Sequence, residues 1–526
     1  MNKYRCYRFL LVAAAVLAAT VLYCLICDSD WSVDGATIID RPPHIRPDYT
    51  DTVIPLNIAP LNFIVQETGR RYYVRIYSDQ GKDINLQSKK PKIIIPLKAW
   101  QELLQDNQGG KLYFDIYVEN DDGQWKRFAS ITNNISRAAI DDYLVYRLIT
   151  PIYHNWFDVG IYQRHLPNYD ESVVVRGRSF REQNYAGCVN CHAFCNNRTD
   201  KMTIGIRSNV GAPTLLAQNG KVSKIGTKFG YTAWHPTGRI VMYSLNKVRQ
   251  FFHMTGVEVR DVIDLDSALA YYDLESKTVK APPQLADKSR LETYPTWSPD
   301  GDYLYFCSAP ILWADRNVTP PKNFKKVRYD LMRISYDIDT DSWGRLETVL
   351  AAAETGKSIL LPRISPDGRF LMFCMCDYGC FPIYQPSSDL YIMDLEADRQ
   401  TGNIAYRHLY INSDRCESWH CWSSNGRWIV FSSKRRDGVF TRSYISYVDE
   451  DGEVYKPLLL PQKDPAFYDS FLKTYTVPEF VVEPVQTSEK DLVDALHSPA
   501  QIEVTMPLTG ATPKAGPSGD WQQDRE

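Results

Sequence analysis

The fold is decided by a short repeated stretch whose clearest copy reads Trp297-Ser298-Pro299-Asp300-Gly301-Asp302-Tyr303-Leu304-Tyr305-Phe306-Cys307. Proline presets φ for a turn and glycine accepts positive φ, so Pro299 to Gly301 predicts a tight reversal of the chain. The alternating apolar residues that follow predict a strand. The stretch therefore predicts one β-hairpin.

Three further copies of this hairpin align with the first without gaps, at intervals of about 60 residues. A large apolar residue, tryptophan in three of the four copies, precedes each turn. Repeats of this period and strand content are typical of the blades of a β-propeller. The aligned segments are His235–Ser244, Ser298–Cys307, Ser365–Cys374 and Ser423–Ser432, preceded by Trp234, Trp297, Ile364 and Trp422.

These repeats resemble the WD40-like Pro-Asp repeats of exported bacterial TolB-like β-propeller proteins, over roughly residues 200–470. The resemblance implies a radial propeller and by itself no activity, because propellers serve many functions. Lys201–Ser208 and the strands around Asn219-Gly220 predict a further blade upstream of the four copies. We therefore expect a mainly β fold with five blades favoured, and with six as the alternative if Tyr475–Val485 closes another.

A Cys-x-x-Cys-His motif stands upstream of the repeats, at Cys188-Val189-Asn190-Cys191-His192. This pattern is the attachment signature of c-type heme, and the composition of the chain gives only about 0.005 chance matches. Two thiols three positions apart can bond both vinyl groups of one porphyrin edge, and the next imidazole can ligate the iron. The sequence predicts one covalent heme c on Cys188 and Cys191, with His192 as the proximal iron ligand.

The motif and the repeats together resemble exported TolB-like propeller proteins that carry a single Cys-x-x-Cys-His motif. That resemblance implies heme binding at the three motif residues and little else. Three other uses of these cysteines remain open from the residues alone. They are a thioredoxin-like redox pair, a structural disulfide, and a zinc site completed by Cys195 and a remote Cys376 or Cys380.

The ligand on the other side of the iron would decide the function. A methionine or histidine gives an electron carrier, whereas an open site allows chemistry on small molecules. His253 belongs to a long loop predicted on the same face as the start of the motif strand, so it is the first distal candidate. Met202 is the alternative, and His154, His165 and Met254 are further candidates.

The remaining cysteines have structural interpretations. Cys307 and Cys374 fall at a repeat position where the other two copies have serine, which predicts small buried side chains. Export permits disulfides, and the candidate pairs are Cys416 with Cys421 and Cys376 with Cys380.

The N-terminus carries an apolar run of membrane length. The uncharged run Phe9–Cys27 follows Lys3, Arg5 and Arg8 and is closed by Asp28. At about 1.5 Å per residue the run extends roughly 28 Å, enough to cross a bilayer. Basic residues before it and acidic residues after it predict a membrane anchor with the remaining chain on the periplasmic side of the inner membrane. A cleaved signal peptide or a lipoprotein of the cell envelope is the alternative.

Shifts in composition divide the chain into segments with different predicted roles. Alternating strand-like runs, such as Tyr72–Tyr77 and Leu112–Tyr117, predict a small β-sandwich-like domain before the motif. The segments are 1–28 as signal anchor or signal peptide, 29–55 as tether, 56–136 as β-sandwich-like domain, 137–187 as connector, 188–485 as heme segment and β-propeller, and 486–526 as polar, partly disordered tail.

Composition and the absence of certain motifs exclude several classes of function. Sixty basic and 63 acidic residues give a net charge of −3, which argues against a nucleic-acid partner. A Gly-x-Ser-x-Gly elbow and a Walker loop are absent, so no catalytic residue is assigned. We expect a membrane-tethered monoheme cytochrome that transfers electrons to or from a protein docked on the propeller face. The alternatives are a heme enzyme or redox sensor with an open iron site, and a propeller scaffold that binds proteins or glycans.

Overall fold

The computed structural model describes residues 31–151, 158–180, 187–208, 211–227, 229–255, 258, 260–285, 287–397, 405–499 and 502. The predicted membrane run Phe9–Cys27 lies outside these residues. In the described part of the chain, no helix is long and apolar enough to cross a membrane.

The N-terminal unit is a seven-stranded sheet packed against a three-stranded sheet. The ring of Phe63 in the small sheet contacts the ring of Phe114 in the large sheet, with centroids 6.1 Å apart. Trp100, on the one long helix of this unit, closes the same core. The elements are β1 (Thr37–Ile39), β2 (Ile45–Arg46), β3 (Val53–Ile54), β4 (Phe63–Val65), β5 (Arg71–Tyr77), β6 (Ile84–Ser88), β7 (Lys92–Ile93), α1 (Leu97–Asp106), β8 (Lys111–Glu119), β9 (Trp125–Phe128) and β10 (Ile131–Ile135).

This unit begins earlier than the sequence indicates. Residues 29–55 were expected to be a tether, but they supply β1, β2 and β3. β1 pairs in parallel with β9, and β3 pairs in parallel with β10. The segment is therefore part of the sheets, because its short apolar runs complete the edges of the larger one.

The rest of the described chain forms six four-stranded antiparallel sheets that have the strand order of propeller blades. Five of them use consecutive strands, β14 to β17, β18 to β21, β22 to β25, β26 to β29 and β30 to β33. The strands are β11 (Tyr143–Ile149), β12 (Gly160–His165), β13 (Glu171–Arg176), β14 (Cys188–Cys195), β15 (Arg198–Arg207), β16 (Thr214–Gln218), β17 (Lys221–Ile225), β18 (Gly230–Trp234), β19 (Ile240–Phe252), β20 (Arg260–Asp273), β21 (Thr278–Lys280), β22 (Arg290–Trp297), β23 (Tyr303–Pro310), β24 (Asp330–Asp337), β25 (Ser342–Leu350), β26 (Ser358–Ile364), β27 (Phe370–Cys376), β28 (Asp389–Asp394), β29 (Tyr406–His408), β30 (Glu417–Trp422), β31 (Trp428–Ser433), β32 (Arg442–Tyr447), β33 (Leu458–Leu459) and β34 (Thr474–Val481).

The sixth sheet closes the ring and corrects two expectations. Its order is β13-β12-β11-β34, so three strands come from before the motif and one from the end of the chain. The favoured count of five blades is therefore one too low, and the alternative of six, with a closing strand in Tyr475–Val485, agrees with the sheets. The segment 137–187 is not simply a connector, because β11 pairs with β34 and supplies the closing sheet.

Short helices fill the connections between strands. They are α2 (Ala352–Thr355), α3 (Phe467–Ser470) and α4 (Glu489–His497), with 3-10 turns at Gly177–Phe180, Pro283–Leu285, Phe324–Lys326 and Pro382–Tyr384. α4 lies inside the predicted polar tail. It begins at Ser488, whose hydroxyl accepts a hydrogen bond from the Asp491 amide at 3.2 Å, and its Leu492 and Leu496 are buried against the closing and first sheets.

The predicted hairpin turns are present between the first two strands of the repeat sheets. In the clearest copy, the Ser298 hydroxyl donates to Asp300 at 2.5 Å and accepts from the Tyr303 amide at 2.9 Å. Gly301 has φ of +85°. Trp297 packs in the core between the second and third sheets, so each turn anchors a blade to its neighbour.

The innermost strand of each of the six sheets, which is β14, β18, β22, β26, β30 or β34, carries a bulge at the same position. The register with the next strand shifts there, so that two residues oppose one. In five of these strands the first bulged residue has positive φ, and these residues are Tyr231, Tyr294, Leu361, Trp419 and Val477.

Candidate functional site

The Cys-x-x-Cys-His motif occupies β14, the first strand of its sheet and a neighbour of the inner strands β18 and β34. Its bulge lies between Asn190 and Ala193. The motif therefore spans the repeat bulge, and Cys191 takes the place of Tyr231 in the next sheet. The backbone of Cys191 is part of β14, but its side chain lies outside the described structure.

His192 is enclosed at the inner side of the ring. Its side chain is 1% exposed, and its Nε2 lies 4.0 Å from Oε2 of Glu479 on β34. That separation is too long for a hydrogen bond. Among the described residues, neither ring nitrogen of His192 nor Oε2 of Glu479 forms a hydrogen bond of normal geometry. The Val477 backbone lies close enough to His192 to oppose the fall in its pKa. A buried polar group without a partner is costly and calls for an explanation, such as a ligand.

Burial sets the protonation of both groups. It lowers the pKa of His192 to about 3, with a further contribution from the positive charge of Arg147. Burial also raises the pKa of Glu479 to about 7. The imidazole is thus neutral at physiological pH, which is the form that ligates metals.

Cys188 begins β14 and is 4% exposed. The carboxamide of Asn190 donates a hydrogen bond to its Sγ at 2.8 Å. Cys195 stands at the other end of β14, and its Sγ lies 4.0 Å from the carbonyl oxygen of His235. The motif residues therefore lie in the first half of the strand, away from Cys195.

His253 is placed beside a carboxylate. It follows β19, and its Nε2 lies 3.5 Å from Oδ2 of Asp261 on β20. Asp261 is buried and also accepts a hydrogen bond from the Tyr378 hydroxyl at 2.7 Å. Among the described residues, no contact joins His253 to His192.

The other distal candidates are also engaged elsewhere or exposed. Met202, on β15, is 1% exposed and packs in the core with Val189 and Ile204. Met254 is fully exposed, and the ring of His165 packs on Tyr143. His154 lies outside the described residues.

The predicted disulfides are not formed. Cys376, Cys380, Cys416 and Cys421 are free thiols. The thiol of Cys376 contacts the Tyr378 carbonyl at 3.3 Å, and the thiol of Cys416 contacts the Pro382 carbonyl at 3.1 Å. Each of these two therefore points to a backbone acceptor of its own.

Among the side chains that the structure describes, no three of the types His, Cys, Asp and Glu converge as metal ligands. Cys307 and Cys374 are both fully buried, at the repeat position that has serine in other copies.

A second strand repeats the motif in part, which the sequence comparison missed. The shared bulge aligns Cys188 with Cys416 and His192 with His420. His420 is buried as well, but its Nε2 lies 3.0 Å from the Met372 carbonyl. A cysteine and a histidine four residues apart, shortly before the turn, are the sequence signal that could have revealed this repeat. His420 thus has a structural partner where His192 has none described.

Comparisons with known proteins add little beyond the fold. No protein-family model matches the chain, and no curated protein matches it. Among solved structures, prolyl oligopeptidase B from Galerina marginata is 11% identical, with a TM-score of 0.34, over 66% of this chain and 42% of that one. The present chain therefore spans about two fifths of that enzyme's length.

Oligogalacturonate lyase from Vibrio parahaemolyticus is 12% identical, with a TM-score of 0.33, over 74% of this chain and 100% of that one. Puromycin hydrolase is 16% identical, with a TM-score of 0.32, over 60% and 45% of the two chains. Likenesses at this level carry no inference about activity. The order of its own sheets makes the chain a mainly β protein with a propeller-like ring.

Proposed function

We propose that the chain is an exported, membrane-tethered monoheme c-type cytochrome that passes electrons to or from a protein docked on the propeller face. The motif at Cys188, Cys191 and His192 supports covalent heme attachment. The apolar run Phe9–Cys27, with basic residues before it, supports export and anchoring by a helix or by lipid, because c-type heme is attached outside the cytoplasm.

One observation carries the proposal. His192 is buried and neutral with no described hydrogen-bond partner, whereas His420 at the matching position bonds a backbone carbonyl. A buried imidazole whose nitrogens form no hydrogen bond of normal geometry with the described residues fits a residue kept for an external ligand. The donor set, two cysteines and this histidine, fits heme c.

A bound heme c supplies one-electron redox chemistry at its iron. Cys188 and Cys191 would hold the porphyrin, and His192 would offer its neutral imidazole to the iron. Enclosure of His192 keeps water away from that side, and Glu479 places a carboxyl group 4.0 Å from its Nε2. Such neighbours tune the electronic properties of a ligating histidine.

The distal side separates electron transfer from the enzyme or sensor alternative. His253 remains the first distal candidate, but it would have to leave the Asp261 carboxylate. Met202 would have to leave an apolar core. If neither residue reaches the iron, the site is open, and binding of small molecules becomes the favoured function.

A second candidate is a propeller scaffold without heme. The observation that favours it is the strand around His420, where cysteine and histidine in the same positions are ordinary core residues. In that case the motif would be one more variant of the repeat strand.

The test is a pyridine hemochrome assay on protein exported from cells that attach heme to c-type cytochromes. We expect a covalent heme spectrum in the wild type that is lost in the Cys188→Ser, Cys191→Ser double variant. His192→Ala should change the spin state of the iron, and the matched control His420→Ala should keep the wild-type spectrum. A folded protein without heme would contradict the cytochrome and support the scaffold.

Spectra also distinguish the two heme functions. A six-coordinate low-spin iron that loses a ligand in His253→Ala or Met202→Ala supports electron transfer. High-spin iron that binds carbon monoxide or cyanide readily supports the open site.

A further inference from the structure

A cleft of about 520 Å³ lies between the N-terminal unit and the fourth and fifth sheets of the ring. This volume falls within the roughly 300–1,000 Å³ of small-molecule sites, which often lie between structural units. One wall comes from β3 and β10 of the N-terminal unit. The other comes from the segment after β29 and the connection between β32 and β33.

Two tyrosines expose their rings on the propeller wall. Tyr410 is 63% exposed, and Tyr455 is 37% exposed. Tyrosine combines a large apolar face with a polar tip, and its exposure beside a cleft typically marks a binding surface. The two rings therefore offer flat surfaces on which a ring-shaped ligand can stack.

Polar groups stand next to these rings. The Tyr410 hydroxyl, the Asn134 carboxamide and the Asp51 carboxylate line the cleft. Asp51 and Asn134 belong to the opposite wall of the cleft. They can therefore donate and accept hydrogen bonds across a bound molecule.

The positive charges in the cleft are already neutralised. Lys456 donates to Asp48 at 2.8 Å and to the Thr50 carbonyl at 2.9 Å. Arg435 donates to buried Glu417 at 3.1 Å. These bonds leave the cleft without a free cation for an anionic ligand.

Acidic groups surround the exposed ring as well. Partial burial, Tyr455 and the carboxylates of Glu453 and Asp51 raise the pKa of Tyr410. Its hydroxyl thus remains protonated, and a negatively charged ligand would be repelled.

We propose that this cleft binds a short neutral oligosaccharide. Its sugar rings stack on Tyr410 and Tyr455, and its hydroxyl groups hydrogen-bond to Asn134 and Asp51. The proposal is independent of heme, because none of these residues belongs to the motif.

The experiment titrates the full exported protein with cellohexaose, xylohexaose, mannohexaose and laminarihexaose by calorimetry. At least one should bind, and Tyr410→Ala and Tyr455→Ala should each weaken binding by about ten-fold or more. The control is Tyr406→Ala, because Tyr406 is also 37% exposed but does not line the cleft. It should bind as the wild type does.

Three results would overturn the proposal. The first is no binding of any neutral hexasaccharide by the folded wild type. The second is equal binding by wild type and both tyrosine variants. The third is preferred binding of tetragalacturonate or choline, which would assign the cleft to a charged ligand instead.

Discussion

At the scale of single residues, neighbours rather than identity decide what a buried histidine does. His192 and His420 occupy matching bulges, and burial lowers the pKa of both to about 3. The Nε2–H of His420 donates to the Met372 carbonyl at 3.0 Å, and its Nδ1 lies 3.7 Å from the Cys374 thiol. The Nε2 of His192 lies 4.0 Å from the Glu479 carboxyl, and its ring lies beside the Phe194 ring and the Val477 backbone. The Met372 contact gives His420 a structural role, whereas the proposed function uses His192 for a ligand.

A buried carboxyl group should make stability depend on pH. Asp264 on β20 accepts a hydrogen bond from Asn246 at 2.5 Å, and burial raises its pKa from 3.8 to about 7. Between these values the folded protein keeps a proton that the unfolded chain has lost. Rising pH therefore removes stability across this window.

Asp264→Asn should remove this dependence. The stability of the variant relative to wild type should rise between pH 5 and pH 8 by about 1 kcal/mol or more, since one pKa unit corresponds to about 1.4 kcal/mol. Urea unfolding of both proteins at several pH values measures this difference in the free energy of unfolding. A difference between the two proteins that stays constant with pH would refute the assignment.

At the scale of elements, the turn of each blade also connects it to the next blade. His235 replaces the serine that begins the other turns, and its Nε2 lies 3.2 Å from the Gly301 carbonyl of the next turn. Its ring also packs against Trp297, with centroids 4.8 Å apart. This contact couples the second and third sheets.

Gly301→Ala should be strongly destabilising. A Cβ at Gly301 would lie 2.4 Å from Nε2 of His235, in addition to the strain at φ of +85°. Gly220→Ala is the control, because Gly220 has φ of +72° and no atom within 4 Å of that Cβ.

We expect the Gly301 variant to lose at least about 1 kcal/mol more than the control, whose cost is the backbone strain alone. In the Gly301→Ala variant, a second substitution His235→Ser should restore part of the lost stability. Thermal unfolding can measure this recovery. Equal losses in both glycine variants would argue against the contact between blades.

The sequence predicted elements whose chemistry is local. Pro299 and Gly301 determine a turn by their own backbone preferences, so the repeat hairpins were identified. The motif was expected in the first strand of an upstream blade, and β14 occupies that place. Its turn did not show the repeat pattern, because it uses Asn196 and Asn197 at positive φ instead of Pro-Asp-Gly. The partner of His253 was also missed, since Asp261 comes close only once β19 and β20 pair.

At the scale of the whole molecule, the two ends of the ring close one sheet. β34 inserts beside β11, more than 300 residues earlier in the chain. The alternation in Tyr475–Val485 indicated a closing strand, but nothing local indicated β11 as its partner. The N-terminal unit is fixed to the same region, because the Tyr49 hydroxyl donates to the Leu459 carbonyl at 3.1 Å. The ring and the N-terminal unit therefore share one continuous apolar core.

Removal of the closing strand should prevent folding. A chain ending at Phe471 lacks β34, and with it the buried residues Tyr475 and Phe480, so the edge of β11 would be exposed. A chain ending at Ile502 keeps every described strand and serves as control. We expect cooperative thermal unfolding only in the control. A cooperative transition in the shorter chain would contradict closure by β34.

The proposed function requires Cys188 and Cys191 to hold one heme. Mass spectrometry can examine the proteolytic peptide that contains β14, from protein exported in cells that mature c-type cytochromes. We expect this peptide to carry the mass of one heme through both thioethers and to lose it in the double serine variant. A peptide from folded protein with two unmodified thiols, or with a disulfide, would show that no heme is attached.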